Sequence, residues 1–566
     1  LGARARRIRR RRAAVLGRLS RFLPVGFYYR SFFGSDGSWE RWEPKIRALA
    51  GLGRVGLLPA HRQFDKQFVH CDVAVVGGGP AGLAAAVAAA EAGADVALFE
   101  QLPRIGGSLL TGRLHADAQA DAAQRSAWHD RLRLPDSVSV FTSASVTGIF
   151  DDRLLSVIAG ARLLKVRARR IVLAHGGIEQ FPIFPDNDLP GIALCSGLQR
   201  LVRLYGVRPG RQAVVVAADD TGYGAALDLV DAGLGVAAVV DLRGRTAGPA
   251  DCIEALERAG TRFVDGVTGL QARAARNGLH IGALTIRSGA GRSQTFDCDV
   301  LAVSAGTVPA YTLAAQAGAA VRYDAAVRNL VVGACPESIG VVGALAGHAD
   351  LDDAVARAAE AGRCAARAGN LPSGSGRPAA VARVLPAWPI FESGGGKAFV
   401  DLDEDLQPDD LRAAVRMGFG DMQLLKRFST VGMGPSQGRH SALATLRILA
   451  RETGSEHASV GLATPRPPAG EESVAHLAGR LDHPVRRTAL HDRHLELGAV
   501  MMPVGAWQRP AYFGTPAARE RHIADEVAAV RARAGLFDVG TLGGLLVRGP
   551  DAARFLDRLY TGRLAT

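Results

Sequence analysis

Cysteine is scarce in this 566-residue sequence, and its spacing excludes two kinds of site. The six cysteines stand far apart, at Cys71, Cys195, Cys252, Cys298, Cys335 and Cys364. No two of them form a C-x-x-C pair, so the sequence has neither the usual dithiol redox motif nor zinc-ligand spacing, and no metal site is predicted. Scattered single thiols are typical of a reducing compartment, and we therefore expect a cytoplasmic protein.

Long hydrophobic runs are also missing. No apolar stretch approaches the roughly 18 residues that a membrane-spanning helix needs, so no membrane partner is predicted. The arginine-rich start leads into no sustained apolar segment, and no secretory signal is expected. Because the chain begins with Leu1 and not with Met, we expect its N-terminus to be cut.

The first 35 residues contain no acidic side chain and account for most of the net positive charge of the chain. Ten arginines precede the first acid, Asp36, and the formal net charge of the whole chain is +13. Without those ten charges the rest of the chain carries only +3, which is ordinary for a large protein. A solvated basic linker is favoured over a nucleic-acid-binding tail, and no nucleic-acid partner is predicted.

Glycine, in contrast, is abundant and marks the most informative stretch. Gly77-x-Gly79-x-x-Gly82 follows a β-branched run and leads into an Ala/Leu-rich helix, as in a dinucleotide-binding βαβ unit. Gly77 permits the tight turn, Gly79 lets a pyrophosphate approach the backbone, and Gly82 lets the helix pack on its strand. Glu100 stands 18 residues after Gly82, where an acid accepts a hydrogen bond from a ribose hydroxyl. The alternative is a glycine turn in an ordinary βαβ unit.

A second βαβ unit is predicted over residues 212–241, but its turn has lost the glycine pattern. Only Gly222 of the fingerprint remains, and Asp219 and Asp220 occupy the place of a pyrophosphate. Carboxylates stabilise a helix N-terminus as caps, but they repel a phosphate. We therefore expect the fold to be kept and the phosphate site to be lost. Further on, Ala344 stands where many flavoproteins of this fold have an aspartate, which weakens the case for a flavin in the first site.

Two predicted strands lead back to the first unit. Residues 138–150 and 163–173 have strand-like apolar patterns and are expected to pair with each other. The second strand ends in Ala-His-Gly-Gly at residues 174–177, which is similar to the A-T-G-G signature of flavoproteins with two dinucleotide-binding domains.

The chain is expected to have the α/β fold class and four parts. Residues 1–68 form a basic arm and an aromatic linker. Residues 69–375 form an FAD/NAD(P)-binding-like, Rossmann-type oxidoreductase domain, with the degenerate second unit inserted at about 191–300. Residues 376–472 form a small helical domain, and residues 473–566 begin an α+β domain.

From about residue 26 to its end, the chain resembles the alpha subunits of heterotetrameric sarcosine oxidases. The stretches that carry the resemblance are residues 26–29, 77–82, 106–109, 184–188, 426–438 and 491–512. Residues 426–438 are the most specific of these and residues 77–82 the least. Residues 483–566 are similar to only the opening of the family's aminomethyltransferase-like, folate-binding domain. The resemblance therefore implies a fragment, which also lacks the family's N-terminal ferredoxin-like domain.

The resemblance implies a tetrahydrofolate-linked oxidative demethylation of sarcosine to glycine, with hydrogen peroxide and 5,10-methylenetetrahydrofolate as products. The amine would be oxidised at a flavin of a beta flavoprotein subunit, and smaller gamma and delta subunits would complete the heterotetramer. The alpha subunit would bind NAD, share FMN with the beta subunit and, at full length, bind tetrahydrofolate. No residue of this chain is assigned a catalytic role.

Carried over position by position, the resemblance implies two sets of cofactor-binding residues. The NAD set comprises Gly77, Gly79, Ala81, Gly82, Glu100, Gln101, Gly107, Ser108, Val146 and Gly343. The FMN set comprises Lys426, Arg427, Thr430 and Gln437, with a purely structural loop as the alternative. No basic residue stands beside Glu100, which argues against the 2′-phosphate of NADP.

A domain of the same pattern carries a [2Fe–2S] cluster on four cysteines in related amine and amino-acid dehydrogenase subunits. The aligned positions in this chain are Asp401, Asp403, Ser436 and Ser441. Because iron–sulfur clusters need thiolate ligands, the resemblance implies a helical domain of the ferredoxin-binding-like type without an iron–sulfur cluster. This favours sarcosine oxidase over relatives of the cyanide-synthase and opine-oxidase type.

Three alternatives stay open. The chain could be an alpha-type subunit of a related amine or opine oxidase or dehydrogenase. It could be a self-sufficient flavin-dependent pyridine nucleotide oxidoreductase, which would need a redox C-x-x-C and an intact second nucleotide turn. It could also be an NAD-binding scaffold whose redox work lies wholly in its partners.

Overall fold

The computed structural model describes residues 37–50, 64–243, 248–276, 278–289, 292–367, 369, 371, 385–392, 395–478, 484–542 and 545–562. The chain divides into two compact units between Leu477 and Ala478. Within the described ranges, no helix is both long enough and apolar enough to cross a membrane. The predictions for the basic arm before Asp36 lie outside the described residues.

The first nucleotide-binding unit is built on a seven-stranded sheet. Its elements, after helix α1 (Ser38–Ala50), are β1 (Asp65–Val76), α2 (Pro80–Glu91), β2 (Val96–Phe99), α3 (Ser108–Thr111), α4 (Ala118–Arg131), β3 (Ser139–Phe141), β4 (Ala144–Phe150), β5 (Leu154–Ala159), β6 (Arg162–Leu173) and β7 (Gly177–Glu179). The strand order is β3-β2-β1-β6-β5-β4, and β1 runs parallel to both β2 and β6.

The inserted unit has a five-stranded parallel sheet and an antiparallel three-stranded one. It contains β8 (Ile192–Leu194), α5 (Cys195–Tyr205), β9 (Gln212–Ala217), α6 (Asp220–Asp231), β10 (Gly235–Asp241), α7 (Ala250–Arg258), β11 (Arg262–Val264), β12 (Val267–Ala274), β13 (Ile281–Ser288), β14 (Ser293–Asp297) and β15 (Val300–Val303). The parallel order is β11-β10-β9-β15-β8. A two-stranded antiparallel ribbon, β7 with β16 (Thr307–Pro309), flanks the insertion.

The chain then returns to the first unit and continues into the small helical domain. The returning elements are α8 (Thr312–Gln316), β17 (Val321–Asp324), β18 (Asn329–Val332), β19 (Ile339–Val341) and α9 (Leu351–Ala366). The small domain has α10 (Pro408–Arg416), α11 (Met422–Ser429), α12 (Ala442–Thr453) and α13 (His457–Val460), and α14 (Val474–Ala478) follows it. Strand β19 adds to the first sheet by pairing in parallel with β6.

Burial of β1 on both faces explains its unbroken apolar end. Val73, Ala74, Val75 and Val76 are all buried, as expected for a central parallel strand covered on both sides. Helices α2 and α9 pack so closely on each other that a Cβ at Gly362 would lie 2.2 Å from the Ala85 carbonyl oxygen. This contact fixes α2, and with it the helix N-terminus that faces the glycine turn.

The expected direct pairing of residues 138–150 with 163–173 is wrong. Strand β5 lies between them and pairs antiparallel with both β4 and β6. The turn before β5 contains no glycine, and instead Asp152 and Arg153 adopt positive φ angles of 55° and 56°. Since glycine is the usual sequence signal for such a backbone conformation, the hairpin has no obvious mark in the sequence.

The C-terminal compact unit, from Ala478 onward, contains α15 (His491–Glu496), β20 (Ala499–Val504), β21 (Trp507–Phe513), α16 (Arg519–Ala532) and α17 (Ala552–Leu559). Strands β20 and β21 pair as an antiparallel hairpin. Asp538 accepts hydrogen bonds from the Thr488 hydroxyl (2.6 Å) and from His494 Nε2 (2.9 Å), and these bonds lower its pKa to about 2. This carboxylate thus ties the start of the unit to a segment 50 residues later.

A buried charge network joins the inserted unit to the first one. Arg203 on α5 donates to Asp121 of α4 at 3.0 Å and to Asp228 of α6 at 2.6 and 2.9 Å. Arg113 donates to Asp228 at 3.0 Å and also pairs with Asp231. The side chains of Asp121 and Asp228 are only 2% and 3% exposed, so both carboxylates need cationic partners, and Asp121 also pairs with Arg125 at 3.1 Å.

We expect Arg203→Met to destabilise the chain strongly, because it removes a partner from two buried carboxylates. Breaking a buried pair from one side typically costs about 3–5 kcal/mol. The measurement is the urea midpoint of unfolding. Arg200→Met is the matched control, since Arg200 is exposed on the same helix. Equal midpoints for the two variants would contradict the importance of the network.

Candidate functional site

The turn between β1 and α2 needs glycine at two positions because the backbone comes too close for a side chain. Gly77 has a φ of +106°, and a Cβ there would lie 2.7 Å from the Ala174 carbonyl oxygen. A Cβ at Gly82 would lie 1.8 Å from the Gly77 carbonyl oxygen. These two glycines are therefore required by the packing of the fold itself.

Gly79 is different, because it faces open space. Among the described residues other than its two chain neighbours, only the Cα of Gly107 lies within 4 Å of a Cβ built there, at 3.9 Å. Pro80 begins α2 without a side-chain cap, so the N–H groups of Ala81 and Gly82 in the first turn point outward without an intrahelical acceptor. An uncapped helix N-terminus beside open space suits a phosphate group.

A second glycine pair forms the opposite wall of this space. Gly107, with a φ of +53°, lies so close that its Cβ would be 2.7 Å from the Gly79 Cα. Ser108 follows as the exposed first residue of α3. Gly343, with a φ of +68°, approaches the side chain of Ala81 in the same way. The structure therefore brings together most of the predicted dinucleotide positions around the start of α2.

Glu100 is fixed by backbone donors on both sides. Its Oε2 accepts from the Gly78 N–H and its Oε1 from the Leu102 N–H, each at 2.7 Å. Each carboxylate oxygen can accept more than one hydrogen bond, so both can still accept from a ribose diol. Gln101, the next residue, is exposed. Val146 lies on β4. The Ala144 N–H, at the start of that strand, donates to the Glu100 carbonyl oxygen at 2.8 Å.

The corresponding turn of the inserted unit is filled by its own side chains. Asp219 caps α6 through the Thr221 N–H (3.0 Å), and Asp220 pairs with Arg243 at 3.1 Å. Arg243 also contacts Asp241, which accepts from the buried Tyr223 hydroxyl at 2.6 Å. Burial and this carboxylate raise the pKa of Tyr223. The acidic groups and the tyrosine occupy the region where a second dinucleotide would place its phosphates and ribose.

A separate cleft of about 250 Å³ lies between α8 and the small helical domain. Its lining residues are Tyr311, Thr312, Met422, Lys426, Val431, Gly432, Met433, Gln437, Gly438, Ser441, Ala442, Thr445, Leu462, Ala463, Thr464, Pro465, Arg466 and Pro467. The cleft combines two cationic side chains, Lys426 and Arg466, with several hydroxyl and apolar groups. Such a lining suits an anionic organic ligand.

The four residues of the predicted FMN set are placed differently. Lys426 and Gln437 line the cleft. Arg427 is exposed and is not part of the lining. Thr430 directs its hydroxyl to Glu404 at 2.9 Å, also outside the lining. The charge beside Lys426 is supplied by Arg466 instead.

Three of the lining residues that the predicted FMN set does not include carry polar or charged groups. Arg466 lies in a proline-rich stretch near the predicted end of the small helical domain, where no motif marks it. The buried Thr445 hydroxyl has no hydrogen-bond partner among the described residues. Burial raises the pKa of Tyr311 to about 12. Tyr311 follows the ribbon strand β16, and only the three-dimensional fold brings it to the small domain.

The four positions aligned with cluster-binding cysteines come together in pairs. Ser441 donates its hydroxyl to Asp401 at 3.0 Å, and the Ser436 N–H donates to Asp403 at 2.7 Å. These hard oxygen atoms are engaged with one another and with backbone donors, so the site does not fit an iron–sulfur cluster. Among the described residues, no group of three or more His, Cys, Asp or Glu side chains could hold a metal ion.

Comparison with known proteins shows similarity to one kind of enzyme subunit along nearly the whole chain. The sarcosine oxidase alpha subunit of Rhizobium meliloti (strain 1021) is 33% identical over an alignment of 580 positions, which covers 97% of this chain and 57% of that protein. That of Corynebacterium sp. (strain P-1) is 33% identical over an alignment of 554 positions, which covers 91% of this chain and 56% of that protein. Residues 395–480 match the sarcosine oxidase A3 domain. Over nearly its whole length, this chain is similar to the alpha subunits of sarcosine oxidases.

The resemblance predicted from the sequence is thus confirmed, and two further domain matches confirm the fold class. Residues 72–167 match FAD dependent oxidoreductases, and residues 490–566 match the GCVT N-terminal domain. The chain spans a little over half the length of the curated relatives that it matches. The crystal structure of L-proline dehydrogenase from P. horikoshii aligns over 75% of this chain and 82% of its own, with a TM-score of 0.54 and 20% identity. At that identity the likeness concerns the fold alone.

We expect Gly79→Ala to fold normally and to lose dinucleotide. Its φ of −79° suits alanine, but the new methyl group would enter the open space next to the helix N-terminus. Overpacking a close contact costs about 1–3 kcal/mol, so affinity should fall about tenfold or more. Nucleotide released from denatured protein is quantified beside the thermal midpoint. Gly197→Ala on α5, where the nearest atom is 4.0 Å away, is the control. Full nucleotide content in Gly79→Ala would contradict the assignment.

Proposed function

We propose that this chain is the alpha subunit of a tetrahydrofolate-linked sarcosine oxidase, which demethylates sarcosine to glycine and forms hydrogen peroxide and 5,10-methylenetetrahydrofolate. The observation that carries the proposal is the open, uncapped turn at Gly79 beside the anchored Glu100, in a chain similar to sarcosine oxidase alpha subunits. Amine oxidation belongs to the flavin of a beta subunit. Gamma and delta subunits complete the proposed complex.

NAD is the proposed ligand of the first nucleotide site. Both oxygens of Glu100 remain available to a ribose diol, and the neighbouring Gln101 offers no positive charge to a 2′-phosphate. Ala344 is exposed at the position where an aspartate would bind the ribityl or ribose group, which argues against FAD. The match to FAD dependent oxidoreductases indicates a flavoprotein-type domain, and NAD is the more specific proposal within that domain type.

FMN is the proposed ligand of the cleft at Lys426, shared with the beta subunit. FMN would supply the transfer of electrons to oxygen. The contribution of this chain is charge and shape, because Lys426 and Arg466 can both donate to a phosphate, and Gln437 borders the same space. Gln437 already donates to the Pro468 carbonyl oxygen at 2.8 Å, so its amide is held in place at the rim.

The remaining cofactor and location statements stay predictions. The tie between Asp401 and Ser441 supports a domain without an iron–sulfur cluster, which favours this family over cysteine-bearing amine and opine oxidases. Tetrahydrofolate binding is proposed for the full-length protein, because residues 490–566 match only the N-terminal part of that domain type. The six cysteines are free thiols, in keeping with the predicted cytoplasmic location.

A self-sufficient flavin-dependent reductase is disfavoured by two features. The second nucleotide turn is occupied by Asp219, Asp220 and the Arg243 ion pairs. The sequence also has no C-x-x-C pair. A scaffold that binds NAD without turning it over is compatible with the same geometry, and it differs only in whether the nucleotide is reduced.

The cofactor assignment predicts a simple composition for the isolated chain. Mass spectrometry of the denatured supernatant should detect NAD and neither FAD nor NADP. A visible flavin spectrum should appear only after co-purification with a beta-type partner. Stoichiometric FAD released from the isolated chain would refute the assignment.

The cleft assignment predicts that Lys426→Met weakens FMN retention in the co-expressed complex. One charge-assisted hydrogen bond contributes about 1.5–3 kcal/mol, so retention should fall by about tenfold or more. FMN, FAD and NAD are quantified separately. Arg427→Met is the matched control, because Arg427 is exposed outside the cleft. Full FMN occupancy in Lys426→Met would show that the loop is structural.

A further inference from the structure

The carboxylate of Asp401 lies behind the cleft and not in it. It is only 2% exposed, and it is not one of the lining residues. Its Oδ1 accepts from the N–H groups of Asp403 (3.0 Å) and Glu404 (3.3 Å), which belong to its own turn. Two hydrogen bonds thus fix the orientation of the carboxylate before any contact with the cleft is made.

The other oxygen of Asp401 holds two parts of the cleft wall. Its Oδ2 accepts from the Gly432 N–H at 2.8 Å and from the Ser441 hydroxyl at 3.0 Å. Gly432 and Ser441 both line the cleft, and they lie on opposite sides of a loop. A carboxylate has about four acceptor positions, and all four are used here.

The loop between these two contacts is tightly folded. Gly432 and Gly438 have φ angles of +71° and +75°, and a Cβ at either would lie 3.3 Å from the Cα of the other. Gly438 also lines the cleft. Because the two sides of the loop are in contact, a shift of the Gly432 backbone would displace Gly438 and the start of α12.

The same turn also anchors the end of helix α11, which carries Lys426. Thr430, with a φ of +67°, ends this helix, and its N–H donates to the Lys426 carbonyl oxygen at 2.9 Å. The Thr430 hydroxyl donates to Glu404, which itself donates its N–H to Asp401. The turn at residues 401–404 therefore holds both the end of the helix that carries Lys426 and the cleft wall at Gly432 and Ser441.

We propose that Asp401 is a positioning residue that sets the cleft wall at Gly432 and Ser441, relative to Lys426, for binding of a phosphate-bearing ligand. This inference rests on the proposed function of the cleft. Replacement by asparagine keeps the size of the side chain but turns one acceptor into a donor. An amide NH₂ on the cleft side would face the Gly432 N–H, and two donors cannot satisfy each other. The wall would then move away from its position beside Lys426.

The test measures the protection of Lys426 from acetylation by peptide mass spectrometry, in the co-purified complex after its own flavin has been released and removed. Two probes are used separately, inorganic phosphate and FMN. We expect both to protect Lys426 in the unchanged chain, and Asp401→Asn to need about tenfold more of either probe, the loss typical of a misplaced charge-assisted contact. Circular dichroism and the thermal midpoint report whether the variant is folded.

Asp403→Asn is the matched control, because it makes the same change in the same turn. Asp403 accepts from the Ser436 N–H, and Ser436 does not line the cleft. This variant should be protected within about twofold of the unchanged chain, as expected for a contact outside the site. If Asp401→Asn does not fold, Ser441→Ala tests the same link from its other end, since the Ser441 side chain makes no helix cap.

Each outcome decides one of the two proposals. Protection of Asp401→Asn at the same probe concentrations as the unchanged chain overturns the positioning role. Protection of the unchanged chain by phosphate but not by FMN overturns the FMN assignment, and the phosphate series alone then decides the role of Asp401. Absence of protection by both probes in the unchanged chain overturns both proposals.

Discussion

The approach of helix α2 to the backbone of the glycine turn is the constraint on which the rest of the first unit depends. With no side chain at Gly82, the helix can pack directly on the Gly77 carbonyl, and the contact at Gly362 holds it from behind. The helix N-terminus is then fixed in front of the open space at Gly79. Glu100 and the glycine pair at Gly107 can face that space only because the helix cannot move away from it.

The two nucleotide-binding units show how side-chain charge decides the use of a shared fold. Both have a parallel strand leading into a helix N-terminus. In the first unit that N-terminus has no side-chain cap, and its dipole is available to a ligand. In the inserted unit Asp219 provides the negative charge from within the chain. The backbone is alike in the two units, but only the first can accept a phosphate without competing with its own carboxylates.

Much of the first site could be predicted from the sequence because its determinants are local. The glycines, Glu100 and the two aspartates of the second turn act within one strand–turn–helix segment, where spacing alone sets geometry. Strand β5 was missed because its turn adopts positive φ without glycine. The cleft was only partly predicted, since Arg466 and Tyr311 reach it from segments far apart in the chain. Whether Lys426 or Arg427 faces inward depends on the helix rotation, which packing determines.

The network of Arg113, Arg203, Asp121 and Asp228 has an evolutionary consequence. The Arg203 guanidinium is shared by carboxylates from two helices, and Asp228 is shared by Arg203 and Arg113, so the loss of one member removes compensation from a buried charge. These positions cannot drift one at a time without a cost to folding. A lineage that replaced one of these residues would have to replace its partners as well, or exchange the whole set for apolar residues of similar volume. Where the two nucleotide-binding units meet, these charged positions should therefore change together between homologues and not singly.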